Sequence, residues 1–348
     1  MPQNKQPKLV RISEKLQQNM QYVDELMGLE TNFDIIHRVI RLGDTDACMY
    51  LIDGFCKDEL MQKILQYLMD LKAEDFPKDA HEMSKIAIPY VEVDLDDTWE
   101  KILGALLSGV FVLLLDGYEK AVLIDARTYP ARGVEEPDKD KVLRGSKDGF
   151  VETVVFNTAL IRRRIRSTDL HMEMLNAGEN SRTDIVLCYM ESRVDPKLLT
   201  QIRERIRSIQ VDALAMNQES LAECLYQRKW YNPFPKFKYT ERPDTAAAQV
   251  LEGNLVILVD NSPSAMILPT TIFDVVEEAD DYYFPPVTGT YLRLTRFLIA
   301  LLTYFVTPTY LLLMNHRMWI PENLEFIILK EDPNVPLILQ FLLLELAI

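Results

Sequence analysis

The apolar and polar positions along the chain form two similar blocks of predicted strands and helices. The first block contains, in order, a strand, two helices and a β-hairpin, at residues 47–53, 57–71, 99–107, 109–116 and 121–125. In the first of these helices one face collects the apolar side chains of Leu60, Ile64, Leu65 and Leu68, the spacing typical of an amphipathic helix. The last two runs predict the hairpin because a short polar turn separates them.

The second block repeats the order of the first. Its strand, helix, second helix and hairpin lie at residues 184–191, 195–209, 246–251, 253–260 and 265–268. Asp195 followed by a proline is a common helix start. Seven positions separate Gly109 from Asp116, and seven also separate Gly253 from Asp260. This agreement indicates an internal duplication of an α/β module, with too few copies for a solenoid.

These patterns predict an α/β fold of two related subdomains, followed by a truncated helical transmembrane region. The segment before the first block is polar with sparse apolar positions, which predicts a tail or a loose helix. The segment between the blocks is rich in proline, glycine and charge, which predicts a linker. The predicted divisions are a tail at 1–30, subdomain 1 at 31–128, a linker at 129–148, subdomain 2 at 149–288 and a membrane region at 289–348.

Residues 297–314 are 18 residues without a charge. A helix of this length spans about 27 Å, close to the hydrocarbon thickness of a bilayer. The alternative is a buried helix of a large soluble core. Pro308 would kink a membrane helix, and Arg293 and Arg296 ahead of the run favour a cytoplasmic N-terminal side.

The final segment, 335–348, is also apolar but too short to span a bilayer. We interpret it as a second hydrophobic helix that is cut at residue 348, within a longer membrane protein. Glu345 would then be an ionisable group at membrane depth, which is costly unless it faces water or a partner. The alternative is an interfacial glutamate that reaches towards the headgroups.

Composition removes several classes of protein. The chain has 38 Lys and Arg against 53 Asp and Glu, a formal net charge of −15. This balance argues against nucleic acid as a partner, because binding to phosphate needs a basic face. Its four cysteines form no CxxC pair, which predicts reduced thiols in a cytosolic compartment. The polar first residues lack the apolar segment of a signal peptide, so the subdomains are expected on the cytoplasmic side.

The common catalytic motifs are missing from the sequence. It contains no GxxxxGK[ST], GxGxxG, HExxH or GxSxG, the patterns of phosphate loops, dinucleotide sites, zinc proteases and nucleophile elbows. The four histidines are scattered without partners at ligand spacing. We therefore expect a protein that is not an enzyme, with no catalytic residues, no cofactor and no metal.

An arginine cluster is the one unusual basic feature. The cluster comprises Arg162, Arg163, Arg164 and Arg166, beside an apolar helical stripe. One interpretation is an interface between domains or subunits, or an anchor near lipid phosphate. The other is pairing within the molecule with the surplus acidic residues. We take the cluster as the candidate interface.

Several long strings resemble the spore germination receptor A-subunit (GerA) family. They are residues 144–166, residues 239–244 with 251–253, and residues 280–283 ahead of 291–297. The resemblance covers nearly the whole chain from about residue 33. The first block, through residues 47–60 and 129–132, looks most like one branch of this family.

The resemblance implies a cytoplasmic, spore-core domain of two α/β subdomains and a multi-pass membrane region in the endospore inner membrane. It also implies a homo-oligomer, other membrane germination subunits as partners, and an ion-conducting pore. The branch in question is implicated in amplifying ion release. Alternatives are the A subunit of a nutrient receptor, a non-conducting scaffold for germination proteins, and a soluble enzyme or nucleotide sensor with a membrane tail.

Overall fold

The two predicted blocks form two five-stranded sheets in a computed structural model of the chain. The structure describes residues 11–56, 58–129, 148–226, 235–271, 285–328 and 335–347. It divides into two compact units, at residues 1–271 and 272–348. Both sheets lie in the first unit.

The first repeat has strands β1 to β5 in the antiparallel order β1-β2-β4-β5-β3. Helices cover both faces of the sheet. The strands are Ile35–Leu42, Thr45–Ile52, Val93–Asp96, Phe111–Leu115 and Ala121–Ile124. Helices α1 to α4 are Leu16–Met27, Asp58–Met69, Ala80–Ile86 and Trp99–Leu107, with a 3₁₀ turn at Ala73–Asp75.

The second repeat has strands β6 to β10 in the same antiparallel arrangement, β6-β7-β9-β10-β8. The strands are Leu170–Ala177, Thr183–Met190, Lys238–Thr240, Leu255–Val259 and Ala265–Leu268. Helices α5 to α8 are Val154–Arg164, Pro196–Arg207, Gln218–Leu225 and Pro243–Glu252. The shared strand order confirms the predicted pair of related subdomains.

The duplication extends to strand register. Phe111 lies opposite Ile124 in the first hairpin, and Leu255 lies opposite Leu268 in the second. Both pairs are separated by 144 positions from one repeat to the other (255 − 111 and 268 − 124). A one-residue slip would turn every buried side chain to the other face, so equal registers preserve the same core in both repeats.

The central strands β4 and β9 are buried at every position. In β9, Leu255, Ile257 and Val259 pack with the cluster that contains residues of α6 and α7. The intervening Val256 and Leu258 pack with residues of α5 and α8. Because alternate side chains of a strand point to opposite faces, a continuous apolar run is required where helices cover both faces of the sheet.

Helix α1 lies within the segment that the sequence analysis assigned to a tail or loose helix. Leu16, Val23 and Met27 are buried against the first sheet. The backbone N–H of Leu16 donates to Asp116 Oδ1 at 2.9 Å, as that of Val154 donates to the equivalent Asp260 at 3.1 Å. Residues 16–27 are therefore the counterpart of α5, and the repeat begins before residue 31.

The second compact unit, 272–348, contains helices α9 and α10 at Pro286–Asn315 and Leu337–Ala347. Two 3₁₀ turns lie between them, at Arg317–Trp319 and Glu322–Ile327. By length and composition, residues 287–315 could cross a membrane, and they are the one such helix among the described residues. The first compact unit ends at residue 271, whereas the sequence pattern predicts the boundary at residue 288.

Candidate functional site: the junction of the two repeats

A buried arginine joins the two repeats. The side chain of Arg162, on α5, has no exposed surface. Its Nε donates to Asp34 Oδ2 at 2.7 Å and its Nη2 donates to Asp34 Oδ1 at 2.9 Å. Its Nη1 donates to the carbonyl of Leu170 at 3.1 Å. This is the two-pronged geometry that a guanidinium makes with a carboxylate, and here it connects residues 128 positions apart.

The backbone of the first repeat allows α5 to approach closely. Gly54 follows β2 at a φ of +78°, in the left-handed region that glycine adopts readily. A Cβ at this position would lie 3.2 Å from Ala159 Cβ on α5. Ile52 and Phe55 pack with Ala159 in a small buried cluster. The contact thus combines apolar packing with the buried ion pair.

A second contact runs along the edge of β6. The backbone N–H of Phe33 donates to the carbonyl of Met172 at 3.2 Å. In return, the N–H of Met172 donates to Asn32 Oδ1 at 2.7 Å. Asn32 is itself buried, and its Nδ2 donates to the carbonyl of Met27 at 2.6 Å. The α1–β1 loop therefore covers part of the free edge of the second sheet.

Tyr129 anchors the other side of the junction. The guanidinium of Arg163 lies 4.4 Å from the centre of its ring, in cation–π geometry. The ring meets Phe55 edge-on at 5.1 Å between centroids. Its hydroxyl donates to the carbonyl of Ser108 at 2.8 Å and accepts from Arg166 at 3.4 Å. Residues of both repeats thus meet at one aromatic side chain.

The four arginines of the candidate interface lie in different environments. Arg162 is buried between the repeats, Arg163 lies on an aromatic ring, and Arg166 reaches a tyrosine hydroxyl. Arg164 donates to the carbonyl of Leu160 at 2.9 Å and to Asp148 at 3.1 Å. Their effect on assembly stays a prediction. No sequence motif marks Asp34, Asn32, Gly54 or Tyr129, because each is a single residue beside an apolar run.

Ionisation in this region is governed by burial and by neighbouring charges. Burial lowers the pKa of His171, and the charge of Arg162 lowers it further, although nearby carboxylates oppose this. The Arg127 guanidinium lowers the pKa of Asp125, its ion-pair partner. Burial raises the pKa of the Cys188 thiol and, to about 11, that of the Cys48 thiol. These thiols are protonated at neutral pH, which makes them poor nucleophiles.

The shifted pKa of His171 predicts a pH dependence. Between the folded pKa and the ordinary value of about 6.5 the unfolded chain binds more protons, so stability falls as pH falls through this window. His171→Gln is therefore expected to flatten the loss of thermal stability below about pH 6.5. Melting temperatures across this range would measure the slope, with His81→Gln on an exposed position as the control. Parallel pH profiles for wild type and His171→Gln would contradict the prediction.

The junction offers packing, ion pairs and hydrogen bonds. Among the described residues, no group of three His, Cys, Asp or Glu side chains could hold a metal ion. Pro308 lies inside α9, which continues to Asn315, and its role as a kink stays a prediction. The backbone of Glu345 lies in α10, but its side chain falls outside the described part, so its membrane role also stays a prediction.

The fold and junction place the chain among two-repeat α/β bodies joined to an apolar helix. The N-terminal domain of the A subunit of the Bacillus megaterium spore germinant receptor GerK3 has this fold, with a TM-score of 0.58 and 27% identity. The match covers 76% of this chain and 98% of that structure. The family model described as Bacillus/Clostridium GerA spore germination protein matches residues 21–348. The chain belongs to this family.

Relatives from Bacillus subtilis (strain 168) extend the match. Stage V sporulation protein AF is 37% identical over 350 aligned positions, which cover all of this chain and 70% of that protein. Spore germination protein A1 is 30% identical, covering 93% of this chain and 67% of that protein. Spore germination protein KA is 27% identical, covering 96% and 62%. The chain thus spans about two thirds of the length of these relatives.

Proposed function

We propose that this protein is a non-catalytic membrane subunit acting in spore germination, and that it forms part of an oligomeric ion-release channel that amplifies the germinant response. The observation that carries the proposal is the similarity to stage V sporulation protein AF, which covers all of this chain and 70% of that protein. Helix α9 supplies an apolar segment of membrane length. The proposed location is the endospore inner membrane.

The proposed orientation puts the two-repeat body on the cytoplasmic, spore-core side. Arg293 and Arg296 precede the apolar run of α9, and basic residues near a membrane helix favour the cytoplasmic side. The bodies of several copies would then assemble beneath a multi-pass pore, beside other germination subunits. Gating would be a shift between packed states of this assembly, driven by a signal that binds one state better.

Deletion of the gene is expected to slow cation release without blocking it. If the protein amplifies a shared signal, the delay should appear with every nutrient, because each receptor would feed the same downstream channel. The measurement is the release of monovalent cations from spores after exposure to several unrelated nutrients. Loss of response to one nutrient only would contradict the amplifier and support a dedicated receptor subunit.

A second candidate is a nutrient-receptor A subunit. An open cleft of about 490 Å³ lies beside the junction and is lined by polar, aromatic and charged side chains. It includes Tyr90, Glu92, Asp125, Arg127 and Tyr129, and a nutrient would bind there in this candidate function.

A non-conducting scaffold is the third candidate. The full-length protein in liposomes distinguishes it from a channel, because a scaffold passes no ions.

A further inference from the structure

The repeat makes it possible to compare each surface of one repeat with its counterpart in the other. Counting through β1 and β6, positions 36, 37 and 39 correspond to positions 171, 172 and 174, an offset of 135 that follows from the strand registers. Counting through α1 and α5, the offset is 138, since the N–H groups of Leu16 and Val154 bond to equivalent aspartates. The two offsets therefore identify, for each residue of the junction, the corresponding residue in the other repeat.

The edge of the second sheet is covered, whereas the counterpart edge of the first is open. On β6, Met172 is fully buried and bonded to the α1–β1 loop. Its counterpart His37 is exposed, with Ile36 and Val39 exposed by 38% and 52%. Within the described residues, no segment outside the sheet hydrogen-bonds to His37. An open edge strand with exposed apolar side chains is a template for pairing with another segment.

The outer face of α1, beside this edge, is exposed as well. On α5, Val155, Ala159 and Arg163 face the first repeat. Their counterparts on α1 are Gln17, Gln21 and Glu25, four residues apart and all exposed. We define the open edge as this α1 stripe together with Ile36, His37 and Val39.

The surface that would complement the open edge lies on the second repeat. Asn32 and Phe33, which cover β6, correspond to Ser167 and Thr168 when counted back from the strand. We define the loop face as residues 166–168 and 191–193. Arg166 and Arg193 on this face are exposed. Arg166 donates to the Tyr129 hydroxyl and Arg193 to the carbonyl of Leu251, and within the described residues neither pairs with a carboxylate. With Glu191 also on this face, its net charge is +1, opposite in sign to that of Glu25 on the α1 stripe.

We propose that the open edge binds the loop face of a second copy of this chain, in a head-to-tail contact that repeats the junction within the chain. This inference rests on the proposed oligomer and names the surface that builds it. A heterologous contact of this kind generates a closed ring or an open filament. The surplus acidity of the protein makes Arg166 and Arg193 natural partners for Glu25.

The contact between copies lacks both the ion pair and the glycine of the junction, because the counterpart of Gly54 at the offset of 138 is Ser192. The counterparts of Arg162 and Asp34 are Asp24 and Asp169, so a buried ion pair cannot form. Asp24 instead accepts from the Tyr50 hydroxyl at 3.2 Å, and Asp169 accepts from the N–H of Ser192 at 3.0 Å. The contact would then depend on the exposed charges of Glu25, Arg166 and Arg193, so it should weaken as salt concentration rises.

Cysteine cross-linking tests the geometry with the full 348-residue chain in detergent. His37→Cys and Thr168→Cys are made in separate chains, in a background where Cys56 and Cys224 are serine. Oxidation of the mixture should give a covalent dimer, and neither variant alone should do so. A dimer of His37→Cys with itself would overturn the proposal, because it would show a symmetric contact.

Exchanging the charges of Glu25 and Arg166 tests whether these two residues pair between copies. Glu25→Arg should weaken self-association about tenfold, a change of about 1.4 kcal/mol, and Arg166→Glu in the same chain should restore it. Glu179→Arg, at the exposed β6–β7 turn, is the control and should leave association unchanged. An oligomer on native gels that lacks the cross-link and ignores these changes would overturn the proposed surface alone. A monomer under all conditions would overturn both this surface and the proposed oligomer, whereas a cross-linked oligomer that passes no ions would overturn only the channel.

Discussion

Arg162→Met is expected to lower the free energy of unfolding by about 3–5 kcal/mol, because it leaves a buried carboxylate without its partner. Asp34 is 2% exposed, and both of its oxygens accept from the guanidinium. Methionine fills a similar volume but offers no donor. Urea unfolding of the purified chain in detergent, followed by circular dichroism, would measure the change.

The paired substitution separates the charge from the packing. Arg162→Met combined with Asp34→Leu should recover most of the loss, since an apolar pair of similar volume can replace a buried ion pair at little cost. Arg164→Met is the matched control, because Arg164 on the same helix is partly exposed and pairs with Asp148 at the surface. If Arg162→Met were as mild as this control, the buried pair would not hold the repeats together.

Gly253→Ala is expected to destabilise the second repeat by more than about 2 kcal/mol, through backbone strain and a steric clash. Gly253 ends α8 at a φ of +100°, a conformation that costs an L-residue roughly 1–2 kcal/mol. Its new Cβ would also lie 2.9 Å from the carbonyl oxygen of Arg193. Because this oxygen belongs to the backbone, it cannot rotate away from the new Cβ as a side chain could. The loop that carries Arg193 or the end of α8 would have to move instead. The midpoint of thermal unfolding should fall by several degrees.

Two other glycines serve as controls for this change. Gly117 also has a positive φ, at +81°, but a Cβ there would meet nothing within 4 Å. Gly117→Ala therefore measures the cost of backbone strain without a steric clash. Gly104→Ala lies inside α4 with open space around it and should stabilise by about 0.5–1 kcal/mol through helix propensity. If Gly253→Ala and Gly117→Ala lowered the free energy of unfolding equally, the contact between the new Cβ and the Arg193 carbonyl would cost nothing, which would contradict the prediction.

The strands and helices with the strongest patterns were predictable. The run 109–116 contains the buried strand Phe111–Leu115, and the helix predicted from residue 195 begins at Pro196, with the Asp195 carboxylate accepting from Lys197 N–H. Both predictions were possible because an apolar run and a helix-capping residue each determine the local structure within a few positions of the chain. None of the edge strands β1, β3, β6 and β8 is among the predicted elements, because exposed and half-exposed positions interrupt the apolar pattern of each.

Helix α1 and the junction show the opposite case. Helix α1 exposes three glutamines and Glu25 and buries Leu16, Asn19, Val23 and Met27. Its role as the counterpart of α5 is evident from the matching aspartate contacts at the two helix starts. In the arginine cluster, periodicity could not tell which arginine is buried. Arg162 is selected by Asp34, which lies 128 positions away.

By itself, the sequence determined the duplication, the α/β composition, the apolar helix and, through long shared strings, the family. These properties follow from local periodicity and from residue identity, both of which are written along the chain. Only the tertiary structure decided that the sheet pairings of the described residues are antiparallel and that Arg162 is the one of the four clustered arginines with no exposed surface. It also decided that, within the described residues, the edge of β1 is open while that of β6 is covered. Each of these depends on contacts between residues distant in sequence, which no local pattern encodes.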